Sequence, residues 1–137
     1  MSVQELREKS GAGIVACSKA LKDAEGNIDK AILLLRERGE AKADGYSTRT
    51  ANNGVVGFYL HHDKTKGIMV QLNCETDFVA RSESFLGFAH DVAECALAHK
   101  TDDVTTLSEQ RLPSGSTLEE TRRNLIATLG ENIQNRR

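Results

Sequence analysis

The sequence has 137 residues and a mass of 15.0 kDa, about the size of one domain. Eighteen Lys and Arg against 20 Asp and Glu give a net charge of -2, which excludes a generally basic nucleic-acid-binding protein, so we expect no direct nucleic-acid partner. The longest purely apolar run, Ala31–Leu35, is far shorter than the about 20 residues of a membrane-spanning helix, so we expect no membrane partner.

Residues 1–40 predict a compact module of three helices. The first helix is short and ends at the segment 10–13, and the second begins near Gly13. Asn27 is a typical N-cap for the third helix, and Gly39 is expected to end it. The apolar positions of the second and third helices recur every three or four residues, at Ile14, Cys17, Ala20, Leu21, Ala24, Ile28, Ala31, Ile32 and Leu35.

Residues 41–53 are predicted to be a linker. The stretch 40–53 contains no large aliphatic residue and is rich in Ala, Asp, Gly, Thr and Asn, a composition typical of linkers. We therefore expect a domain boundary here, between the helical module and an α+β unit at 54–137.

Two runs with a period of two predict an antiparallel hairpin around a polar loop at 61–67. The first run is Val55–Leu60 and the second is Ile68–Cys74, in which Ile68, Val70, Leu72 and Cys74 share the expected core face. Helical stripes that would cover this sheet follow at Phe85, Ala89, Val92 and Ala96, and at Leu118, Leu125, Ile126 and Leu129. Thr106–Glu109 and Ser116–Glu119 both fit the capping-box pattern. The predicted fold class is α+β.

Catalytic and metal-binding chemistry find little support in the sequence. The three cysteines are an odd number, and they have no metal-ligand spacing to the four histidines, so we expect buried thiols without a disulfide, metal or cofactor. Cys74 lies beside Glu75 and Asp77, whose carboxylates would raise the pKa of a nucleophilic thiol. An enzyme built on Cys74 is therefore the least favoured alternative, and we assign no catalytic residue.

The segment Thr76–Arg81 is the most unusual part of the sequence. Phe78 departs from the preceding alternation and lies between the charged residues Asp77 and Arg81. One interpretation folds the aromatic ring back over the sheet, with Thr76 capping a helical turn. The other makes Phe78 an exposed anchor for a partner protein. The residues alone leave both interpretations open.

Four segments, in the same order, resemble the elongation factor Ts family. They are Leu6–Leu21, Gly26–Gly39, the distinctive Asn73–Ala80 and Gly130–Ile133, the last followed by Arg136 and Arg137. The resemblance implies an N-terminal module folded like a ubiquitin-associated domain, followed by part of the family's sheet-containing core. It implies a cytoplasmic protein of a bacterium, or one of an organellar matrix after removal of a transit peptide.

The resemblance also implies a function, which is guanine-nucleotide exchange on GDP-bound elongation factor Tu during translation elongation. The family's turn, here Thr76, Asp77, Phe78 and Val79, disturbs the magnesium site of that partner. The helical module contacts a further helix of the partner, which corresponds here to Arg7, Ile14 and Val15.

The sequence departs from the family pattern in two ways. Ser18 precedes Lys19, where the family usually has a pair of lysines, so one partner contact is in doubt. The family's core also continues well past Gly130–Ile133, so we expect an incomplete sheet that two copies could complete as a homodimer. The alternative function is a docking module that binds elongation factor Tu or a ribosomal partner without driving exchange.

Overall fold

A computed structural model describes residues 2–137 and contains seven helices and three strands within that range. The helices are α1 (Val3–Ser10), α2 (Ile14–Asp23), α3 (Ile28–Tyr46), α4 (Asp77–Ala80), α5 (Glu83–His99), α6 (Val104–Ser108) and α7 (Leu118–Leu129). The strands are β1 (Asn53–Leu60), β2 (Gly67–Cys74) and β3 (Gln134–Asn135). This is the predicted α+β class, with three helices ahead of an antiparallel sheet. None of the described helices combines the length and apolar character that a membrane crossing requires.

Helices α1 and α2 and the first half of α3 enclose a small core of their own. Ser2 caps α1 by accepting a hydrogen bond from the Glu5 N–H, and Asn27 caps α3 by accepting one from the Lys30 N–H. Gly11 ends α1 in the left-handed region, with φ of 68°. The buried residues of this core are Leu6, Cys17, Ala20, Ala24, Ile28 and Ala31.

The predicted end of the third helix at Gly39 is wrong, because α3 continues to Tyr46. Gly39 packs against α7, where an added Cβ would lie 3.2 Å from the Cβ of Ala127. Ala43 belongs to the core of the sheet, so tertiary packing carries the helix past its glycine. Residues 41–46 are therefore helical and Asn53 begins β1, so only residues 47–52 of the predicted linker lie between regular elements. The division into domains itself stays a prediction.

The three strands form one antiparallel sheet in the order β1-β2-β3. Strand β1 pairs with β2 from Asn53 opposite Cys74 to Leu60 opposite Gly67, and β3 pairs with β2 through Leu72 and Asn135. Helix α5 covers the face that carries Val70, Leu72 and Cys74, which confirms the predicted core face of β2. The approach is close, because an added Cβ on Gly57 would lie 3.3 Å from that of Ala89.

The opposite face of the sheet carries large apolar side chains that are exposed. We call Val56, Phe58, Leu60 and Met69 the open sheet face; Met69 is 74% exposed and Phe58 is 71% exposed. Phe58 and Met69 are cross-strand partners, so the four side chains form one patch. No helix within residues 2–137 covers this patch.

Both predicted capping boxes are misplaced. Helix α6 begins at Val104 and is capped by Asp103, whose carboxylate accepts hydrogen bonds from Thr106. Helix α7 does have a capping box, but Thr117 and Glu120 form it, one residue beyond the predicted pair. Adjacent Ser and Thr residues allow the capping-box pattern to be matched at more than one starting position. Helix α7 begins at the position that buries Leu118.

Candidate partner-binding site

A single helical turn after β2 presents Phe78 to solvent. Thr76 has an extended backbone and caps α4, and its Oγ1 accepts a hydrogen bond from the Val79 N–H at 3.4 Å. The sequence analysis gave this cap as part of the interpretation that folds the ring back over the sheet. Within the turn, Ala80 is buried whereas Phe78 is 83% exposed. Phe78 therefore does not fold back over the sheet, and the anchor interpretation has the geometry it needs.

Charge surrounds this exposed ring. Asp77 occupies the first turn of α4, where the helix dipole favours a negative charge, and it lies 3.5 Å from the guanidinium of Arg81. Both side chains are largely exposed, so the pair contributes little to stability. The turn thus presents an apolar ring with a carboxylate and a guanidinium nearby.

Two glutamates to which the sequence analysis assigns no structural role hold the backbone of this turn. The carboxylate of Glu131 accepts hydrogen bonds from the N–H groups of Glu75 and Thr76, both at 3.0 Å, and from the Thr76 hydroxyl at 2.5 Å. In return, the carboxylate of Glu75 accepts one from the Asn132 N–H at 2.7 Å. These residues are 55 to 57 positions apart, and no local pattern signals the pairing.

Cys74 is completely buried and lies beside the same loop. Burial raises the pKa of its thiol, and the negative charge of Glu131 raises it further. The thiol donates a hydrogen bond to the Thr76 carbonyl at 3.1 Å, which favours its protonated form. Backbone hydrogen bonds of Thr76 and Ala80 to the sulfur act in the opposite direction and do not outweigh burial. The protonated thiol is a poor nucleophile, so the geometry disfavours an active-site cysteine.

The three predicted contact residues of the helical module lie on two adjoining helices. Arg7 is exposed in the last turn of α1. Ile14 and Val15 begin α2 and are 59% and 83% exposed. Two large apolar side chains at a helix start, outside the small core, provide a second candidate contact surface.

The described residues contain no group of three or more His, Cys, Asp or Glu side chains placed to hold a metal ion. The adjacent His61 and His62 lie in the hairpin loop, where His61 contacts Asp63 at 2.8 Å. Hydrogen bonds from the backbone and hydroxyl of Thr65, followed by one from His61, lower the pKa of Asp63. These contacts order the loop.

Comparison with known proteins identifies the chain's relatives. The sequence model described as Elongation factor TS matches residues 75–137, the segment that contains both the Phe78 turn and Glu131. The curated relatives include elongation factor Ts of Hydrogenovibrio crunogenus (44% identical over 98% of this chain), of Arthrospira platensis (48% over 98%) and of Clostridium botulinum strain Eklund 17B (46% over 99%). Over nearly its whole length, the chain is similar to proteins of the elongation factor Ts family.

The chain spans about half the length of the elongation factor Ts proteins that it matches. It covers 46% of the Hydrogenovibrio protein and 55% of the Arthrospira protein. The identity extends over 135 residues in both cases, so it includes the helical module as well as the sheet. Both candidate contact surfaces therefore lie within the aligned part of elongation factor Ts.

Proposed function

We propose that this chain is a guanine-nucleotide exchange factor that binds GDP-bound elongation factor Tu and promotes GDP release during translation elongation. The observation that carries the proposal is the exposed Phe78, on a turn whose cap and preceding backbone are hydrogen-bonded. It lies within the segment that matches the elongation factor Ts family. We place this activity in the cytoplasm of a bacterium or in an organellar matrix.

In the proposed mechanism, Thr76, Asp77, Phe78 and Val79 enter the nucleotide-binding domain of elongation factor Tu near its magnesium site. Burying an exposed aromatic ring in a partner's pocket contributes about 2–4 kcal/mol when the residue is a binding hot spot. That energy is available to separate helices of the partner and to weaken the coordination of its magnesium ion. Weaker coordination lowers the affinity for GDP.

Exchange then follows from reciprocal coupling between two binding sites. If this chain weakens GDP binding by a given factor, GDP weakens the binding of this chain by the same factor. Each 1.4 kcal/mol of coupling corresponds to about a tenfold change in affinity. Incoming GTP can later displace the chain in the same way, and no covalent step on this chain is needed.

Arg7, Ile14 and Val15 provide the second contact in this proposal. Their surface is separate from the Phe78 turn and would bind another helix of the same partner domain. The exposed apolar side chains of Ile14 and Val15 supply binding energy, and Arg7 supplies a charge. This docking would raise affinity without itself disturbing the nucleotide.

Release of fluorescent GDP from elongation factor Tu, measured with increasing amounts of the chain, tests the proposal. We expect the wild type to accelerate release and Phe78→Ala to lower the maximal rate by about thirtyfold, the equivalent of 2 kcal/mol. Leu33→Ala is the control, because Leu33 is also a large exposed apolar residue but lies on α3, outside the contact surfaces and the open sheet face. A wild-type chain that leaves the release rate unchanged would contradict the proposal.

A docking module without exchange activity is the second candidate. The observation behind it is that the chain spans about half the length of the elongation factor Ts proteins that it matches. This candidate predicts that the chain binds elongation factor Tu while GDP release stays at its basal rate. A pull-down and the release assay, performed on the same samples, separate the two candidates.

A further inference from the structure

We propose that Glu131 is the positioning residue of the Phe78 turn. Glu75, which directly precedes this turn, in return binds the loop that carries Glu131. The importance of this role for exchange rests on the function proposed above. We call Glu75, Thr76, Glu131 and Asn132 the carboxylate clamp, because two carboxylates each bind the backbone of the other's loop.

The Glu131 side chain is committed to one short segment. Its Oε2 accepts hydrogen bonds from two successive backbone N–H groups, and its Oε1 accepts one from the Thr76 hydroxyl. A carboxylate that accepts several hydrogen bonds at once fixes the direction of each donor. Glu131 thereby fixes the backbone at the point where β2 ends and α4 begins.

The opposite half of the clamp anchors Glu131. The Glu75 carboxylate accepts a hydrogen bond from the N–H of Asn132, a fully buried residue next to Glu131. The Asn132 amide donates to the Arg49 carbonyl at 2.7 Å, and the adjacent Ile133 is also completely buried. The loop that carries Glu131 is therefore fixed by the core, and it can hold the more exposed turn in place.

The turn needs such support because α4 has only four residues. A helix of this length is not stable by itself, since nucleation is costly and one turn adds few hydrogen bonds. Phe78 makes little contact with the rest of the chain, so its direction depends on the cap. The Thr76 hydroxyl connects the two, because it donates to Glu131 and accepts from the Val79 N–H.

Glu131→Gln is the variant that removes hydrogen-bond acceptors from the clamp with the smallest change in side-chain shape. An amide keeps one acceptor oxygen, but its NH₂ group cannot accept a hydrogen bond from the backbone N–H groups or from the Thr76 hydroxyl. Glu109→Gln is the matched control, because Glu109 is exposed and ends α6 away from the turn. Should Glu131→Gln fail to fold, Glu131→Asp keeps the charge and withdraws the carboxylate by one methylene.

The first measurement concerns the free chain. The sequence contains no tryptophan, so Phe78→Trp introduces a single fluorescent reporter on the turn. We expect its anisotropy to fall when Glu131→Gln is added and to stay unchanged with Glu109→Gln, with the thermal melt confirming a folded chain. Unchanged anisotropy in the Glu131 variant would overturn the proposal.

The second measurement is GDP release by chains that keep the native Phe78, without the tryptophan reporter. We expect Glu131→Gln to lower the maximal release rate at least tenfold, and to change the half-saturating concentration less, because the contact surface of Arg7, Ile14 and Val15 is intact. The double variant with Phe78→Ala should be no slower than Phe78→Ala alone, whereas additive losses would mean that Glu131 acts elsewhere. A wild-type chain without exchange activity would contradict the proposed function alone, and the anisotropy would still decide the role of Glu131 in the turn.

Discussion

Phe78 and Phe85 are seven positions apart and have opposite environments. Phe85 is completely buried under the sheet, at the start of α5, whereas Phe78 is among the most exposed large side chains of the described chain. Ser82, between them, caps α5 by accepting a hydrogen bond from the Phe85 N–H. The change of direction at this cap separates a ring that serves folding from a ring that is available to a partner.

We expect truncation of the two rings to have different effects on stability. Phe85→Ala should lower the free energy of unfolding by about 3–5 kcal/mol, because it removes buried surface and leaves a cavity. Phe78→Ala should change it by less than about 0.5 kcal/mol, as for other surface substitutions. Urea denaturation followed by circular dichroism measures both values. A large loss for Phe78→Ala would place this ring in the core and contradict the anchor interpretation.

A second prediction at this scale concerns the thiols. Cys74 and Cys95 are buried and their thiol pKa values are raised chiefly by burial, so both groups stay protonated at neutral pH. We expect iodoacetamide to modify them far more slowly in the native chain than in the urea-unfolded chain, with mass spectrometry counting the modified sites. Rapid native alkylation of Cys74 would revive the enzyme interpretation, which Cys74→Ser would then test.

At the scale of elements, the contact between α3 and α7 depends on a glycine in the middle of a helix. Gly39 lets α7 approach until an added Cβ would be 3.2 Å from Ala127. Charged side chains flank this contact, with Arg36 at 2.8 Å from Glu120 and Arg123 at 2.6 Å from Asp44. Helix α3 is thereby held along its second half.

We expect Gly39→Leu to destabilise the chain by about 1–3 kcal/mol, because a large side chain would overpack the contact between the two helices. Gly45→Leu is the control, since nothing lies within 4 Å of a Cβ added at this position of the same helix. The control should be neutral or slightly stabilising, as leucine favours helix more than glycine does. Thermal melts compare the two variants, and equal melting temperatures would show that the close approach contributes nothing.

Sequence periodicity predicted the three N-terminal helices, the hairpin and the helix over the sheet. These elements are predictable because burial repeats locally, as at Ile68, Val70 and Leu72. The continuation of α3 beyond Gly39 was not predictable, because it depends on packing against α7, which begins only at Leu118. The role of Glu131 was missed for a similar reason, since its hydrogen-bond partners are also distant in the sequence. Phe78 was noticed, but its exposure depends on how α4 is oriented, which spacing does not encode.

At the scale of the whole molecule, residues 2–137 cover the sheet on one face only. The open sheet face carries four large apolar side chains, which is unusual for a surface that remains in water. Antiparallel sheets that do face water normally alternate apolar and polar residues. A second copy of this chain, related by a twofold axis, would cover the patch with an identical one.

We therefore expect the chain to self-associate through the open sheet face. Sedimentation velocity over a range of concentrations should show a dimer that dissociates on dilution, and Met69→Lys should shift the equilibrium to the monomer. Leu33→Lys is the control, because Leu33 is exposed on α3, outside this patch. A wild-type chain that is monomeric at every concentration would contradict the prediction.

The uninterrupted course of α3 has a consequence for how a partner would be bound. Its 19 residues extend over about 28 Å, and they contribute Ile28 and Ala31 to one core and Ala43 to the other. Helix α3 thus connects the core that carries the surface of Ile14 and Val15 with the core that carries the Phe78 turn, to which Ala80 belongs. Such a chain behaves as a chelating ligand, because binding at one surface presents the other at high effective concentration. A partner that has lost either contact should then lose much more affinity than that contact would provide alone.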